Sequence, residues 1–143
     1  MGAVSAAVYN RMASDAELTG LLSVYKGAPA IFTAVPIPGD ADLPLVTAFG
    51  NATAPSDVPE ASKQSVAVRV QRDINCYAQA TGSAARVEQI ANRVFELFER
   101  EEDAINVSGW RVVRARADFP IVGETDETAY GLLVLVELRL EKQ

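Results

Sequence analysis

Few residues of this chain have the types and spacing that catalysis needs. Its 143 residues include no histidine and a single cysteine, Cys76. A Ser-His-Asp or Cys-His mechanism cannot be assembled from this chain, and a nucleophile would need Lys or a carboxylate as its base. Cys76 lies on the apolar side of a predicted strand, where a thiol behaves as a small buried hydrophobe. We therefore expect no enzymatic activity and no catalytic residues.

Acidic side chains are the remaining candidates for metal or acid–base chemistry. The pair Asp40 and Asp42 and the segment Glu124–Glu127 do not have the spacing of a calcium-binding loop. The segment Glu99–Asp103 follows a predicted helix, and solvated charge is the ordinary explanation for acids at that position. The glycine-containing turns hold no phosphate-binding or dinucleotide-binding motif. We therefore expect no metal site and no cofactor.

The densest positive charge lies in one predicted strand, at Arg111, Arg114 and Arg116. The whole chain carries a formal net charge of −6. Binding to nucleic acid depends on clustered Lys and Arg that displace counterions, and on aromatic platforms for unpaired bases. Because this chain is acidic and these arginines lack such a platform, we expect them to pair with acidic groups of another subunit. Simple solvent exposure is the alternative.

Apolar residues at helical spacing predict helices that could cover a sheet. They predict a first helix over Ala3–Met12. The sequence Ser14–Glu17 has the pattern of a capping box and predicts a short second helix. Ser83, after Gly82, is a suitable N-cap for a strongly amphipathic helix that extends to Phe98.

Five segments have the composition or the alternation of β-strands: Ile31–Val35, Pro44–Phe49, Gln64–Gln79, Trp110–Asp118 and Ala129–Glu141. In the third of these, only Arg72 interrupts the apolar side. In the fourth, strict alternation places Trp110 and Val112 on one face of the sheet. It places Val113, Ala115 and Ala117 on the other face. The element order predicts an α+β fold, with a mainly antiparallel sheet of four to five strands and helices packed on one face.

The length predicts a single domain over residues 1–143. Residues 50–64 are polar, contain two prolines and lie between two predicted strands, so we predict an extended hairpin arm there. The longest apolar run, Ala129–Val136, is too short to span a bilayer. The first residues lack the basic and apolar regions of a signal peptide, and we expect no membrane partner.

The arm, the polar face of the long strand and the charged segments are the surfaces that we predict to contact other proteins. Acidic and basic patches on one chain can meet across identical subunits in a ring. The predicted interaction residues are Asn51, Asp57, Glu60, Lys63, Arg69, Gln71, Asp73, Arg111, Arg114, Arg116, Glu124 and Asp126.

The chain resembles the tail terminator (tail completion) proteins of long-tailed phages and gene transfer agents. The resemblance extends over Tyr9–Glu141 and follows the order of the elements. It rests on the opening YNRMASDAELTGLL, the strand LPLVTAFGNATAP, the unit VAVRVQRDINCYAQATGSAARVEQIANRVFELF and the late segment ETDETAYGLLVLVELRLE.

The resemblance implies a structural virion protein that is assembled in the bacterial cytoplasm. It implies a homo-oligomer, expected to be a hexameric ring, that caps the head-proximal end of the tail tube. The implied partners are the tail tube protein and a head–tail connector or stopper protein, and DNA would pass through the lumen without specific binding. Acidic groups lining the lumen would repel that DNA. The alternatives are a connector or stopper protein of the same particle, or a small-molecule-binding α+β module.

Overall fold

A computed structural model of the chain describes residues 2–34, 36–50 and 67–143 in full, and residues 51–55 by their backbone. The helices and strands are, in chain order, α1 (Gly2–Ala13), α2 (Ala16–Thr19), β1 (Val24–Tyr25), β2 (Ala28–Pro29), β3 (Ile31–Phe32), β4 (Leu45–Pro55), β5 (Ala67–Gln79), α3 (Ala85–Phe98), β6 (Trp110–Ala117), β7 (Ile121–Val122) and β8 (Ala129–Lys142). This content confirms the predicted α+β class.

The main sheet has six strands within the described part of the chain. Their order is β3–β4–β5–β8–β6, and β7 pairs with β8 beyond the end of β6. Every pair is antiparallel except β3–β4. The sheet is therefore mainly antiparallel, as predicted, and the strand beyond the predicted four or five is the two-residue β7. Strands β1 and β2 form a separate small hairpin.

The core lies between one face of this sheet, here called the core face, and the helices α1 and α3. Alternation along the strands buries every second side chain, as predicted for β5 and β8. Burial of each large apolar side chain contributes roughly 1.5–3 kcal/mol. The largest fully buried side chains include Val8 and Met12 from α1, Ile90 and Phe98 from α3, Val70 and Ile74 from β5, and Leu138 and Leu140 from β8.

A β-bulge in β6 overturns the alternation predicted for that strand. Val112 pairs with Leu140 and Arg114 pairs with the adjacent residue of β8, so Val113 has no partner across this pair of strands. A bulge residue reverses the face of every residue that follows it. Val112 and Ala115 therefore share the core face, and the prediction that they lie on opposite faces is wrong.

Asp15 caps the start of α2, so the predicted capping by Ser14 is wrong. The Asp15 Oδ2 atom accepts a hydrogen bond from the amide of Leu18 at 2.9 Å. The Ser14 hydroxyl instead donates to the carbonyl of Asn10, in the last turn of α1, at 2.5 Å. Because that hydroxyl is engaged with the preceding helix, the carboxylate of the next residue takes the capping position.

The prediction of Ser83 as the N-cap of α3 is wrong by one residue. Gly82, with a φ of +83°, makes the turn out of β5. Ala84 then occupies the N-cap position and offers no side-chain hydrogen bond. The Ser83 hydroxyl accepts from the amide of Ala85 at 3.3 Å, so it supports the first helical residue from one position further back.

The acidic segment after α3 covers the free edge of β6. The amide of Arg100 donates to the carbonyl of Ala115 at 3.0 Å. The amide of Ala115 donates to Glu102 Oε1 at 3.3 Å. Hydrogen bonds from its own backbone amide and from that of Ala115 lower the pKa of the Glu102 carboxyl. We expected the acids of this segment to be solvated charges with no structural role. This expectation is wrong for Glu102, whose carboxylate pairs with a backbone amide at the otherwise unpaired edge of β6.

The first part of the predicted arm belongs to the sheet. Residues 52–55 of β4 pair with residues 68–71 of β5, after a register shift between Gly50 and Ala52. Residues 56–66 lie outside the described residues, and with them the predicted interaction residues Asp57, Glu60 and Lys63. The arm itself stays a prediction.

Candidate functional site

The face of the sheet opposite the helices, here called the outer face, carries most of the described charged residues that were predicted to contact partners. The bulge at Val113 puts all three arginines of β6 on this face, beside the polar positions of β5. The charged and polar residues of the outer face include Arg69, Gln71 and Asp73 of β5, Glu137, Arg139 and Glu141 of β8, and Arg111, Arg114 and Arg116 of β6.

The strand register aligns arginines across three neighbouring strands. Arg69 of β5 lies opposite Arg139 of β8, and Arg139 lies opposite Arg114 of β6. We call these three residues the arginine row. The row on each side of it holds an acid at the β8 position, Glu137 on one side and Glu141 on the other. Arg139 was absent from the predicted interaction residues, since its neighbours become evident only from the pairing of the strands.

Each flanking row contains one side-chain contact between its own members, and the described residues show none within the arginine row. Arg111 Nη2 and Glu141 Oε2 are 2.5 Å apart, and Gln71 donates to Glu137 at 3.3 Å. Among the described residues, no salt bridge involves a member of the arginine row. The Nε atom of Arg139 is buried and has no hydrogen-bond partner there.

A shallow groove of about 490 Å³ borders the arginine row. Its wall includes Arg114 of the row, the polar side chains Gln71 and Glu137, and the half-buried Leu135. The mixture of basic, acidic and apolar groups suits contact with a protein segment, because such segments present both carboxylates and apolar side chains.

Arg72, the residue that interrupts the apolar side of β5, is buried on the core face at 4% exposure. Its Nη1 atom donates to the carbonyl of Gln71 at 2.9 Å. Burial lowers its pKa, and its Nε atom has no partner among the described residues. It pairs with Gly50, where an added Cβ would lie 3.3 Å from Nη1. The missing side chain at Gly50 therefore leaves room for this guanidinium.

The acidic segment Glu124–Glu127 is a loop held against the start of β8 by hydrogen bonds. The amide of Gly123 donates to the carbonyl of Gly131 at 3.0 Å. The amide of Gly131 donates to Thr125 Oγ1 at 3.2 Å. Glu124 and Glu127 are exposed. The loop therefore presents two free carboxylates from a fixed backbone.

Asp126, one of the predicted interaction residues, holds this loop together. Its Oδ1 atom accepts hydrogen bonds from the amides of Thr128 and Ala129 at 2.7 and 2.8 Å. These backbone hydrogen bonds, together with one from the Thr128 hydroxyl, lower the pKa of the Asp126 carboxyl. Asp126 is therefore a loop-forming residue, and the carboxylates that remain free in this segment belong to its glutamates.

An exposed apolar edge, residues 119–122, adjoins the outer face. Phe119 is 76% exposed, Ile121 52% and Val122 69%. Phe119 stacks on Phe95 of α3, with ring centroids 4.7 Å apart. Clustered exposed apolar side chains mark protein contact surfaces. Sequence reasoning missed this edge, although the apolar run FPIV between turn-forming residues was a visible signal.

Cys76 and the acidic side chains are the remaining candidate chemical groups in the described part of the chain. Burial raises the pKa of the Cys76 thiol to about 12, so the thiolate needed for nucleophilic attack is scarce at neutral pH. Across residues 2–34, 36–55 and 67–143, no group of three or more acidic or cysteine side chains could hold a metal ion. In the same residues, no helix is long and apolar enough to cross a membrane.

Comparison with known proteins finds similarity in structure. No family model matches the chain, and no curated protein sequence matches it. A solved chain from the virion of a native gene transfer agent (GTA) particle superposes with a TM-score of 0.74 and 21% identity, covering 98% of this chain and 96% of that chain. The two chains share one fold. A second solved chain superposes with a TM-score of 0.53 and 14% identity, covering 99% of this chain and 94% of that one.

This likeness extends over almost the whole of both chains. It therefore includes the sheet and the helices together and is not limited to one shared motif. The expected relation to gene transfer agent proteins is supported at the level of the fold.

Proposed function

We propose that this chain is a structural protein of a phage-type or gene transfer agent particle and acts there as the tail terminator. In this role it forms a ring on the head-proximal end of the tail tube, stops tube polymerisation and presents the surface that joins the head connector. The observation that carries the proposal is the likeness to a chain of a gene transfer agent virion over 98% of this chain.

The surface chemistry supports an assembly protein. A capping ring needs one surface that complements the last tube ring and others that hold its own subunits together. The chain offers the apolar edge 119–122 and, beside it, the strongly charged outer face. Exposed apolar surface favours association, and segregated charge sets orientation and partner choice.

The proposed partners follow from this role. They are further copies of the chain in a hexameric ring, the tail tube protein, and the head–tail connector or stopper protein. DNA passes through the lumen without specific binding, which suits a chain with a net charge of −6. The proposed location is the virion tail after assembly in the bacterial cytoplasm, and the proposed role involves no enzymatic step.

Electron microscopy of tail tubes tests this function. The purified chain is added to polymerising tube protein from the same particle, and tube lengths and tube ends are recorded. A terminator shortens and narrows the length distribution and adds density at one end. Unchanged tube lengths with bare ends would refute the terminator role, and binding only to purified connector would favour the stopper alternative.

Two valines of equal exposure provide a matched comparison for the apolar edge. Val122 lies in β7 and Val24 in β1, and each is 69% exposed. If the apolar edge contacts the tube, Val122→Asp weakens end binding while Val24→Asp leaves it unchanged. Equal effects of the two substitutions would remove the edge from the proposed contact.

A further inference from the structure

We propose that the arginine row of one copy binds the carboxylates of Glu124 and Glu127 of a second copy. The contact is head to tail, between two different surfaces of the same chain. The inference deepens the ring of the proposed function and rests on self-assembly of the chain.

The arginine row is electrostatically unfavourable in an isolated chain. Residues directly opposite each other on antiparallel strands have Cβ atoms about 4.5–5.5 Å apart, and like charges there destabilise a sheet. Arg139 has an arginine opposite it on both sides. Its Nε atom is buried without a partner among the described residues. Carboxylates placed over the row would relieve the repulsion between its guanidinium groups.

The loop that carries the two glutamates is already ordered for such a contact. Asp126 and Thr125 hold its backbone through the hydrogen bonds described above. Glu124 and Glu127 take no part in those bonds and are exposed. A preorganised loop loses little conformational entropy on binding, which favours association.

The two surfaces cannot meet within one chain. The loop is fastened to Gly131, and Arg139 lies eight residues further along the same continuous strand. At about 3.4 Å per residue this separation is about 27 Å, far beyond the reach of a glutamate side chain. The contact must therefore join different copies. A contact between unlike surfaces repeats around an axis and generates a ring when the rotation closes.

A protein carboxylate fits this site better than the phosphate backbone of DNA. Glu137 and Glu141 flank the arginine row on β8, so an extended polyanion that runs along this strand would meet both of them. Two discrete carboxylates can instead sit over the row and avoid these acids. The net charge of −6 further disfavours DNA, because it repels the phosphates at long range.

A charge-swap experiment on the full chain tests the contact. The row variant is Arg114→Glu with Arg139→Glu, and the loop variant is Glu124→Arg with Glu127→Arg. Sedimentation equilibrium at low salt should show each variant self-associating roughly tenfold or more weakly than the wild type. An equimolar mixture of the two variants should regain the lost affinity, because each reversed surface then meets its complement. Circular dichroism checks that both variants are folded.

A control variant separates this contact from a general effect of charge. Glu88→Arg with Asp103→Arg changes the net charge as much as the loop variant does, at exposed positions that belong to neither the loop nor the arginine row. It should leave self-association unchanged. An equal loss in this control, a mixture that fails to recover, or a wild-type chain that stays monomeric up to about 1 mM would overturn the inference. So would a row variant that loses only DNA binding.

The outcomes also distinguish this inference from the proposed function. If row and loop variants cap tail tubes as well as the wild type does, the inference fails while the terminator role stands. If the charge swap recovers association but the chain never binds tube ends, the contact stands and the terminator role fails.

Discussion

Asp15 and Arg93 join the start of α2 to the middle of α3 through two charge-assisted hydrogen bonds. The Nη2–Oδ1 distance is 2.7 Å and the Nε–Oδ2 distance is 2.9 Å. The same carboxylate accepts the capping hydrogen bond from the amide of Leu18. The bond from Arg93 is the main cause of the lowered pKa of Asp15. One side chain therefore caps a helix and holds two helices together.

Substitution of Asp15 should separate these two roles. Asn is a good N-cap but carries no charge, so Asp15→Asn should cost about 1–2 kcal/mol of unfolding free energy. Asp15→Ala loses the cap as well and should cost about 2–3 kcal/mol. Urea unfolding measures both. Glu96, 3.5 Å from Arg93 and exposed, is the control, and Glu96→Gln should change stability by less than about 0.5 kcal/mol. Equal stability of Asp15→Asn and wild type would contradict the ion-pair role.

The lowered pKa of Asp15 predicts a specific dependence on pH. Ionised Asp15 stabilises the fold above its ordinary pKa of 3.8, and this contribution is lost as the pH falls through the lower folded value. The difference in unfolding free energy between wild type and Asp15→Asn should be constant between about pH 5 and 7 and shrink below about pH 4. Urea unfolding across this range measures it. A difference that persists undiminished in acid would show that the pair does not act through charge.

Gly131 lies so close to the acidic loop that no larger residue fits. An added Cβ would overlap the carbonyl oxygen of Glu124 and lie 3.1 Å from Tyr77 Cε1. Gly131→Ala should therefore displace the loop and cost about 1–3 kcal/mol, as overpacking does elsewhere. At Gly39 an added Cβ meets nothing within 4 Å. Gly39→Ala is thus the control in thermal or urea unfolding, and equal effects at both positions would disprove the close approach.

Cys76 should be inert in the folded protein. It is fully buried, and its pKa of about 12 leaves very little thiolate at pH 8. Labelling by an aromatic disulfide reagent should be on the order of a thousandfold slower in the native state than in urea. Ser108→Cys in a Cys76→Ala background supplies an exposed thiol that should react at once. Rapid native labelling of Cys76 would mean that β5 opens readily.

Periodic patterns in the sequence were sufficient to predict the main elements. The alternation in β5 and β8 placed Ile74, Cys76 and Val134 in the core, where they are buried. The helical stripe of α3 likewise predicted its buried face up to Phe98. These assignments succeed because buried side chains recur at a fixed spacing along a strand or a helix. The spacing of apolar residues within a short segment is therefore enough to identify the element and its buried face.

Local features that depend on competition between neighbours were predicted poorly. Ser14 and Asp15 are both good capping residues, and the engagement of Ser14 with α1 gave the position to Asp15. Neither the composition nor the alternation of β6 indicates the bulge at Val113. Glu102 gained its role only because the chain after α3 returns along the edge of β6.

The sequence alone determined an acidic, histidine-free chain of the α+β class with one strongly amphipathic helix, because composition and periodicity are properties of contiguous residues. The arginine row could arise only from tertiary structure. Arg69, Arg114 and Arg139 are far apart in sequence, and strand register together with the bulge at Val113 aligns them on one face. Register depends on how distant segments pair, and a shift of one residue would have moved each arginine to the core face.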